Sequence, residues 1–246
     1  MRPLLALLLG ASLLGGCAGK PVDPSGTWIN QAAIDAATEH GKLREALLAY
    51  GPNLEWRIQP QRRLATYSNG FEQGEGQLRD EDDNRWRVDF YADYHESLSL
   101  SGGELLQATS DTWPEQRFTR PATPVAVDVP LGRSFEHALY SAYLGGNWTI
   151  RQGLGNGGLV LFQPDGRVEG LPGVERYALC LAGDCAAMSG EFDSIWLQLG
   201  EQGRTWLFER DDQHLSIFEA LNRAQSDEMP DYHKGELRWR LEHMTR

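Results

Sequence analysis

The chain has 246 residues, 41% of them hydrophobic, and a formal net charge of −12 at pH 7. This length and hydrophobic fraction suit one large or two small packed domains. The acidic balance repels polyanions, which argues against nucleic acid and against anionic lipid headgroups as partners. It would suit a cationic partner, although solubility alone also accounts for it.

The first residues have the pattern of a secretory signal. A basic start, Met1-Arg2-Pro3, precedes an apolar run from Leu4 and small residues before Cys17. The run is shorter than the about 20 residues that a membrane-spanning helix needs, so it indicates a signal rather than an anchor helix. No later stretch is long and apolar enough to span a membrane either.

The end of this signal, Leu14-Gly15-Gly16-Cys17, resembles the lipobox of bacterial lipoproteins. The resemblance implies that residues 1–16 are removed and that Cys17 becomes a lipidated, acylated first residue, anchored effectively permanently by several acyl chains. Ala18 stands where lipoproteins retained in the inner membrane often have Asp, which favours the outer membrane. We expect a protein anchored there that faces the periplasm. The alternative is an ordinary signal with a chance cysteine.

After an anchor linker at residues 17–25, short strands and turns indicate a mainly β chain. Glu236–Leu241 alternates with period two, and Pro164-Asp165-Gly166 separates two strand-like segments. We predict two tandem antiparallel β-barrel or curled-sheet units with short helices, at residues 26–120 and 132–246. Residues 121–131, which contain several prolines, form the linker between them.

The two units share short motifs in the same order, which indicates an internal repeat. Alternating strands also resemble one another by chance, and this is the alternative. The matched segments are 26–29 with 146–150, 59–64 with 163–168, 85–90 with 195–199, 105–108 with 215–220, and 117–120 with 238–240.

Helix is expected in two places. Residues 31–50 are rich in Ala and Leu, with a break at Gly41, and form an insertion in the first unit that is a candidate for packing across both units. Ser134 is expected to cap a second helix, which runs through Leu139 to Gly145-Gly146. If the units are separate domains, residues 132–246 are expected to fold alone.

With Cys17 assigned to lipid, Cys180 and Cys185 remain of the three cysteines. In an oxidising envelope such a pair usually forms a disulfide, and the turn-like Leu-Ala-Gly-Asp between them predicts a hairpin that brings the sulfurs together. A redox-active or metal-binding pair is the alternative, but it lacks Cys-x-x-Cys spacing and a nearby His.

Two further resemblances concern the units themselves. The opening Gly26-Thr27-Trp28 resembles the first strand of lipocalin-like barrels. In the second unit, Trp148, Phe162 and the segment 165–170 resemble the META domain of bacterial envelope proteins, over residues 146–220. That resemblance implies a small β domain with a stress-linked envelope role and no known catalysis. The family's Gly-Cys-Asn element has no match here, since Gly173-Val174-Glu175 stands near its place.

No residue pattern predicts catalysis, a metal or a cofactor. The glycine-rich segment 153–158 precedes a strand, whereas a dinucleotide site needs a helix there. Ser189 lacks a nucleophile elbow, and the acidic run 80–84 lacks the alternation of a calcium loop. The six histidines have no zinc spacing; they are His40, His95, His137, His214, His233 and His243.

The eight tryptophans either fill two cores or line a ligand cavity, and Trp is buried on average. We therefore expect a non-catalytic, lipid-anchored envelope protein that binds a partner protein or supports the envelope. A lipocalin-like carrier of a small apolar ligand is the alternative, and a cell-wall hydrolase is the third. The tryptophans are Trp28, Trp56, Trp86, Trp113, Trp148, Trp196, Trp206 and Trp239.

Overall fold

A computed structural model describes residues 23–81, 84–111, 113–123 and 129–244 of the chain. The signal segment, the predicted lipidation site Cys17 and part of the proline-containing linker lie outside the described residues. The expectations that concern them therefore stay predictions.

The predicted fold class is confirmed, because the chain forms two eight-stranded antiparallel sheets, each nearly closed into a barrel. The first barrel comprises β1 (Gly26–Ile29), β2 (Glu55–Gln59), β3 (Leu64–Ser68), β4 (Gln73–Asp80), β5 (Arg85–Asp89), β6 (His95–Ser101), β7 (Glu104–Gln107) and β8 (Gln116–Phe118). The second comprises β9 (Gly146–Gly153), β10 (Leu159–Phe162), β11 (Val168–Glu169), β12 (Arg176–Leu179), β13 (Asp193–Leu199), β14 (Gln202–Arg210), β15 (His214–Asn222) and β16 (Tyr232–His243).

Both barrels are meanders, in which each strand pairs with the next along the chain, but they close differently. In the first barrel, the ends meet at a single bridge between Ile29 and Thr119, whose backbone groups exchange hydrogen bonds of 2.8 and 2.9 Å. In the second barrel, β16 pairs directly with β9. The ends of this sheet are β11 and β12, which meet at a single bridge between Arg167 and Arg176. Closure leaves few unpaired strand edges.

The sequence matches fall on equivalent strands of the two barrels. Segments 26–29 and 146–150 lie on the first strands, β1 and β9, and the two Gln-Pro turns follow the second strands, β2 and β10. The other matched segments lie on or run into the fifth, seventh and eighth strands of each barrel. The motif order therefore follows the strand order.

The first strands also share a local geometry around their tryptophans. The indole Nε1 of Trp28 donates to the carbonyl of Pro24 (2.8 Å), and that of Trp148 donates to the carbonyl of Leu144 (2.9 Å). Each donor thus reaches four residues back along the chain and is satisfied while the ring is buried.

Four helices complete the described fold: α1 (Gln31–His40), α2 (Leu43–Ala49), α3 (Arg133–Tyr143) and α4 (Gly183–Ser189). The predicted break at Gly41 is confirmed, since this residue ends α1 in the left-handed conformation with φ of +69°. Two helix predictions are wrong. Gly132, not Ser134, precedes α3, so Ser134 lies inside the first turn, and α4 was not expected at all.

The buried apolar residues form two clusters that do not follow the two barrels. One fills the first barrel and includes Trp56 and Phe118. The other combines the second barrel with all three of α1, α2 and α3, so Ile34 and Leu43 belong to the same cluster as Trp148. The helical insertion of the first unit therefore shares its core with the second barrel.

Candidate functional site

The junction between the barrels is built around the turn that joins α1 and α2. The hydroxyl of Tyr143 on α3 donates to the carbonyl of Gly41 (2.8 Å), and the Arg210 guanidinium of β14 donates to the carbonyl of Thr38 (3.1 Å). A Cβ on Gly41 would lie 2.1 Å from the Arg210 carbonyl oxygen. Glycine is therefore required both for the turn and for this close approach to the second barrel.

A carboxylate of the second barrel caps the helix α2 of the first unit. Asp193, at the start of β13, accepts hydrogen bonds from the backbone N–H groups of Leu43 (2.9 Å) and Arg44 (2.7 Å). Lys42, which precedes α2, supplies no side-chain cap of its own. Burial raises the pKa of Asp193 even though these hydrogen bonds favour the ionised form.

A carboxylate of the first barrel likewise caps the helix α3 of the second unit. Glu55, at the start of β2, is fully buried and its Oε2 accepts from the backbone N–H of Phe135 (3.0 Å). Its other oxygen makes no hydrogen bond among the described residues and lies 3.6 Å from the Arg57 guanidinium. Burial raises the pKa of Glu55, and Gly132 at the start of α3 offers no side-chain cap. Each barrel thus caps a helix that belongs to the other unit.

The disulfide between Cys180 and Cys185 is confirmed, but the predicted hairpin is wrong. Cys180 follows β12 directly, and Cys185 lies inside α4, so the bridge ties a strand end to a short helix. This helix contacts the first unit, because the Arg44 guanidinium of α2 donates to the carbonyl of Ala186 (2.7 Å). The bridge therefore fixes an element of the junction.

An apolar groove of about 200 Å³ opens at this junction beside α4. We call it the junction groove. Around it, Leu48 is 59% exposed and Phe71 is 56% exposed. A Cβ on Gly183 would lie 2.1 Å from the Phe71 ring, so the ring lies directly against α4. The groove is lined by Arg44, Leu47, Leu48, Gly51, Pro52, Leu54, Asn69, Trp113, Leu181, Ala182, Gly183 and Ala186.

Most tryptophans occupy the interior of the molecule rather than a surface. Trp196 is the clear exception at 44% exposure, and Trp113 is partly exposed at the junction groove. The buried rings belong to Trp28, Trp56, Trp86, Trp148, Trp206 and Trp239.

The structure keeps the other sequence candidates apart. The glycine-rich segment joins β9 to β10, so it forms the hairpin expected and opens no helix. Ser189 is buried, donates to the carbonyl of Cys185 (2.7 Å) and bonds to the Ser194 hydroxyl. Of the acidic run, Asp82 and Asp83 lie outside the described residues, and the rest lies at the hairpin between β4 and β5.

The histidines also lie apart, with local partners. His214 contacts Asp211 (3.1 Å), His233 contacts Asp231 (2.9 Å), and the His243 ring packs against Trp148. Within the described part of the chain, no three His, Cys, Asp or Glu side chains are placed to hold a metal ion. The insertion 31–50 does pack against the second barrel as expected, but Asp193, Glu55 and Arg210, which hold the junction together, were not singled out from the sequence.

No protein-family model, no curated protein and no solved structure matches this chain. Among the described helices, none has the length and apolar character needed to cross a membrane.

Proposed function

We propose that this chain is a non-catalytic, lipid-anchored protein of the bacterial envelope, whose paired barrels bind a partner protein or support the envelope. The lipobox-like Leu14-Gly15-Gly16-Cys17 supports the anchor, and Ala18 favours the outer membrane. The Cys180–Cys185 disulfide is in keeping with an oxidising compartment such as the periplasm.

The junction groove is the observation that supports partner binding. Exposed apolar side chains that gather around a concavity mark interaction sites more often than single exposed ones do. The first unit contributes Leu48 and Trp113 to the groove and the second contributes Leu181 and Gly183, with the exposed Phe71 ring lying against Gly183 beside it. A partner at this groove would contact both units and depend on their relative placement.

The barrel interiors favour this function over the carrier. A carrier needs an interior cavity, and ligand sites typically measure about 300–1,000 Å³. Large side chains such as Trp56, Trp86 and Phe118 fill the first barrel, and Trp148, Trp206 and Trp239 are buried in the second. A cell-wall hydrolase needs a convergent nucleophile or acid–base set. The His–Asp pairs that the structure shows, His214–Asp211 and His233–Asp231, are exposed and join residues only three and two positions apart in the chain.

The anchor is tested by labelling cells with a fatty-acid analogue. We expect the wild-type protein to take up the label and Cys17→Ser to lose it, because the lipid is attached to the thiol of Cys17 and the amine that is acylated is the one freed by cleavage before this residue. A Cys180→Ser/Cys185→Ser variant is the control, since it also removes thiols and is expected to keep the label. Label retained by Cys17→Ser would contradict the lipobox interpretation.

The partner surface is tested by a photo-cross-linking amino acid at Phe71 in growing cells. We expect a discrete adduct with another protein, lost when Leu48→Asp places a charge in the junction groove. The matched control position is Leu159, which is 62% exposed on the second barrel and lies outside the groove. Equal adducts from both positions, or an adduct that survives Leu48→Asp, would contradict partner binding at this surface.

A further inference from the structure

A second concavity lies at the far end of the first barrel, where β1 begins and the chain arrives from the anchor linker. It measures about 740 Å³ and opens beside Ser25, Gly26 and Thr27. We call it the arginine cleft, because Arg57, Arg62 and Arg120 line it together with Ile58 and Pro121. None of its described lining residues is acidic, although Asp and Glu number 35 in the chain against 23 Lys and Arg.

Local contacts orient the three guanidinium groups. That of Arg120 stacks 3.6 Å above the Trp28 ring, and that of Arg57 donates through Nη2 to the Val129 carbonyl (2.9 Å). The Arg62 group donates through Nη1 to the Gln59 side chain (3.1 Å). Arg120 also donates to the backbone carbonyls of Thr27 (3.4 Å) and Asp23 (3.5 Å). A guanidinium has five N–H donors, so each of the three groups keeps donors for a ligand.

Two carboxylates offset part of this positive charge without filling the cleft. Glu55 approaches Arg57 from the buried side at 3.6 Å. Asp23 lies near Arg120, and its pKa is lowered first by its hydrogen bonds to Ser25 and then by that arginine. Arg62 is exposed and forms no ion pair in the described part of the chain, so the cleft keeps a surplus of positive charge.

The donor set fits a phosphate group better than a metal or a neutral polar ligand. The planar fork of arginine matches two oxygens of a phosphate at once, and such charge-assisted hydrogen bonds are the strong ones. Ile58, Pro121 and the aliphatic stems of the arginines supply an apolar wall beside them. The volume lies within the range of small-molecule sites.

We propose that the arginine cleft binds the phosphate of an anionic phospholipid headgroup. The choice of a lipid over free phosphate rests on the proposed anchor. Residue 23 follows Cys17 by six positions, and six extended residues span at most about 20 Å, so a lipidated Cys17 keeps the cleft close to the bilayer surface.

The net charge of −12 predicts repulsion from anionic lipid over the molecule as a whole. At physiological salt this repulsion is screened beyond about 8 Å, so the charges closest to the ligand determine whether it is attracted or repelled. The arginine cleft is thus a local exception to the acidic surface, and it turns one end of the molecule toward the membrane.

The test is a calorimetric titration of the full chain, in non-ionic detergent, with three soluble probes. These are dihexanoyl phosphatidylglycerol, dihexanoyl phosphatidylcholine and inorganic phosphate. We expect saturable binding of phosphatidylglycerol that Arg62→Gln weakens about 10-fold or more, because a charge-assisted hydrogen bond is lost. The matched control is Arg63→Gln, which removes the same charge one residue outside the cleft and is expected to change affinity less than about twofold.

Arg57→Gln is the second variant, with its thermal unfolding measured in parallel because Arg57 also contacts Val129. Binding of phosphatidylglycerol but not phosphatidylcholine, lost in both cleft variants, supports the proposal. Equal binding of inorganic phosphate, lost in the same variants, supports a phosphate site but overturns the lipid source. No saturable binding, or equal weakening by Arg63→Gln, overturns the site itself. None of these results depends on acylation, so a failed anchor and a failed cleft are told apart by the labelling experiment.

Discussion

Asp193 is the residue on which the junction depends most directly. It satisfies two backbone N–H groups at the start of α2 that have no other cap in that helix. We predict that Asp193→Ala lowers the free energy of unfolding by about 0.5–2 kcal/mol, the usual range for a lost helix cap. Urea unfolding measures this loss. Asp35→Ala is the control, since that exposed carboxylate bonds only to Gln31 on its own helix, and an equal loss there would contradict the capping role.

The pH dependence of stability also tests Asp193. A carboxylate in an ordinary ion pair stabilises the fold less as the pH falls, whereas Asp193 is expected to stabilise it more. Burial raises the pKa of Asp193 above its usual 3.8. A raised folded-state pKa contributes stability that is complete below the unfolded pKa and is lost as the pH rises through the folded value.

We therefore predict that the wild type gains stability relative to Asp193→Asn as the pH falls from 7 toward 4. The quantity is the unfolding free energy of the wild type minus that of the variant. Groups common to both proteins cancel in this difference, which urea unfolding at each pH measures. A difference that shrinks as the pH falls would show that hydrogen bonding, rather than burial, dominates at this site. Glu55→Gln is expected to behave in the same direction, since burial also raises the pKa of Glu55.

At the scale of elements, the disulfide ties α4 to the end of β12 and so fixes the helix that contacts the first unit through Arg44. Closing a loop with a sequence separation of 5 stabilises by about 2 kcal/mol in the chain-entropy description. We predict that Cys180→Ser/Cys185→Ser accelerates amide hydrogen exchange in α4, because that helix has no side-chain cap and few residues. The long pairing of β15 with β16 serves as the internal control. Unchanged exchange in α4 would mean that packing alone holds it.

Strands and turns were predictable because their signals are local. The alternation in 236–241 and the Pro-Asp-Gly turn at 164–166 each depend on neighbours in sequence, and the structure has a strand and a turn there. The Ser134 cap failed because Gly132 precedes α3, and because Glu55 from another element accepts from the backbone N–H of Phe135 in the first turn of α3.

The junction could not be predicted in the same way. Asp193 lies 150 residues from Leu43, and Glu55 lies 80 residues from Phe135, so no window of sequence contains both partners of either contact. The arginine cleft is equally non-local, since it joins residues from both ends of the first barrel's sequence. The net charge concealed it, because a sum over the chain says nothing about where the charges lie.

At the scale of the whole molecule, the two barrels repeat one topology, and the helices of the first unit share their core with the second barrel. Ile34 on α1 is fully buried in the cluster that also contains Trp148 and Ile217 of the second barrel. Two separate domains would each keep their own core. The expectation that residues 132–246 fold alone stays a prediction, and the shared cluster counts against it, since that fragment lacks the α1 and α2 side chains.

The most direct test of this shared core is native-state hydrogen exchange on Ile34→Ala in the full chain. Removing a buried Ile side chain costs about 2–5 kcal/mol. We predict that the slowest amides of β13–β16 and those of β2–β5 lose the same free energy of opening, because α1 packs in the core of the second barrel and Asp193 and Glu55 tie each barrel to a helix of the other unit. A loss confined to either barrel, with the other unchanged, would contradict a single cooperative body.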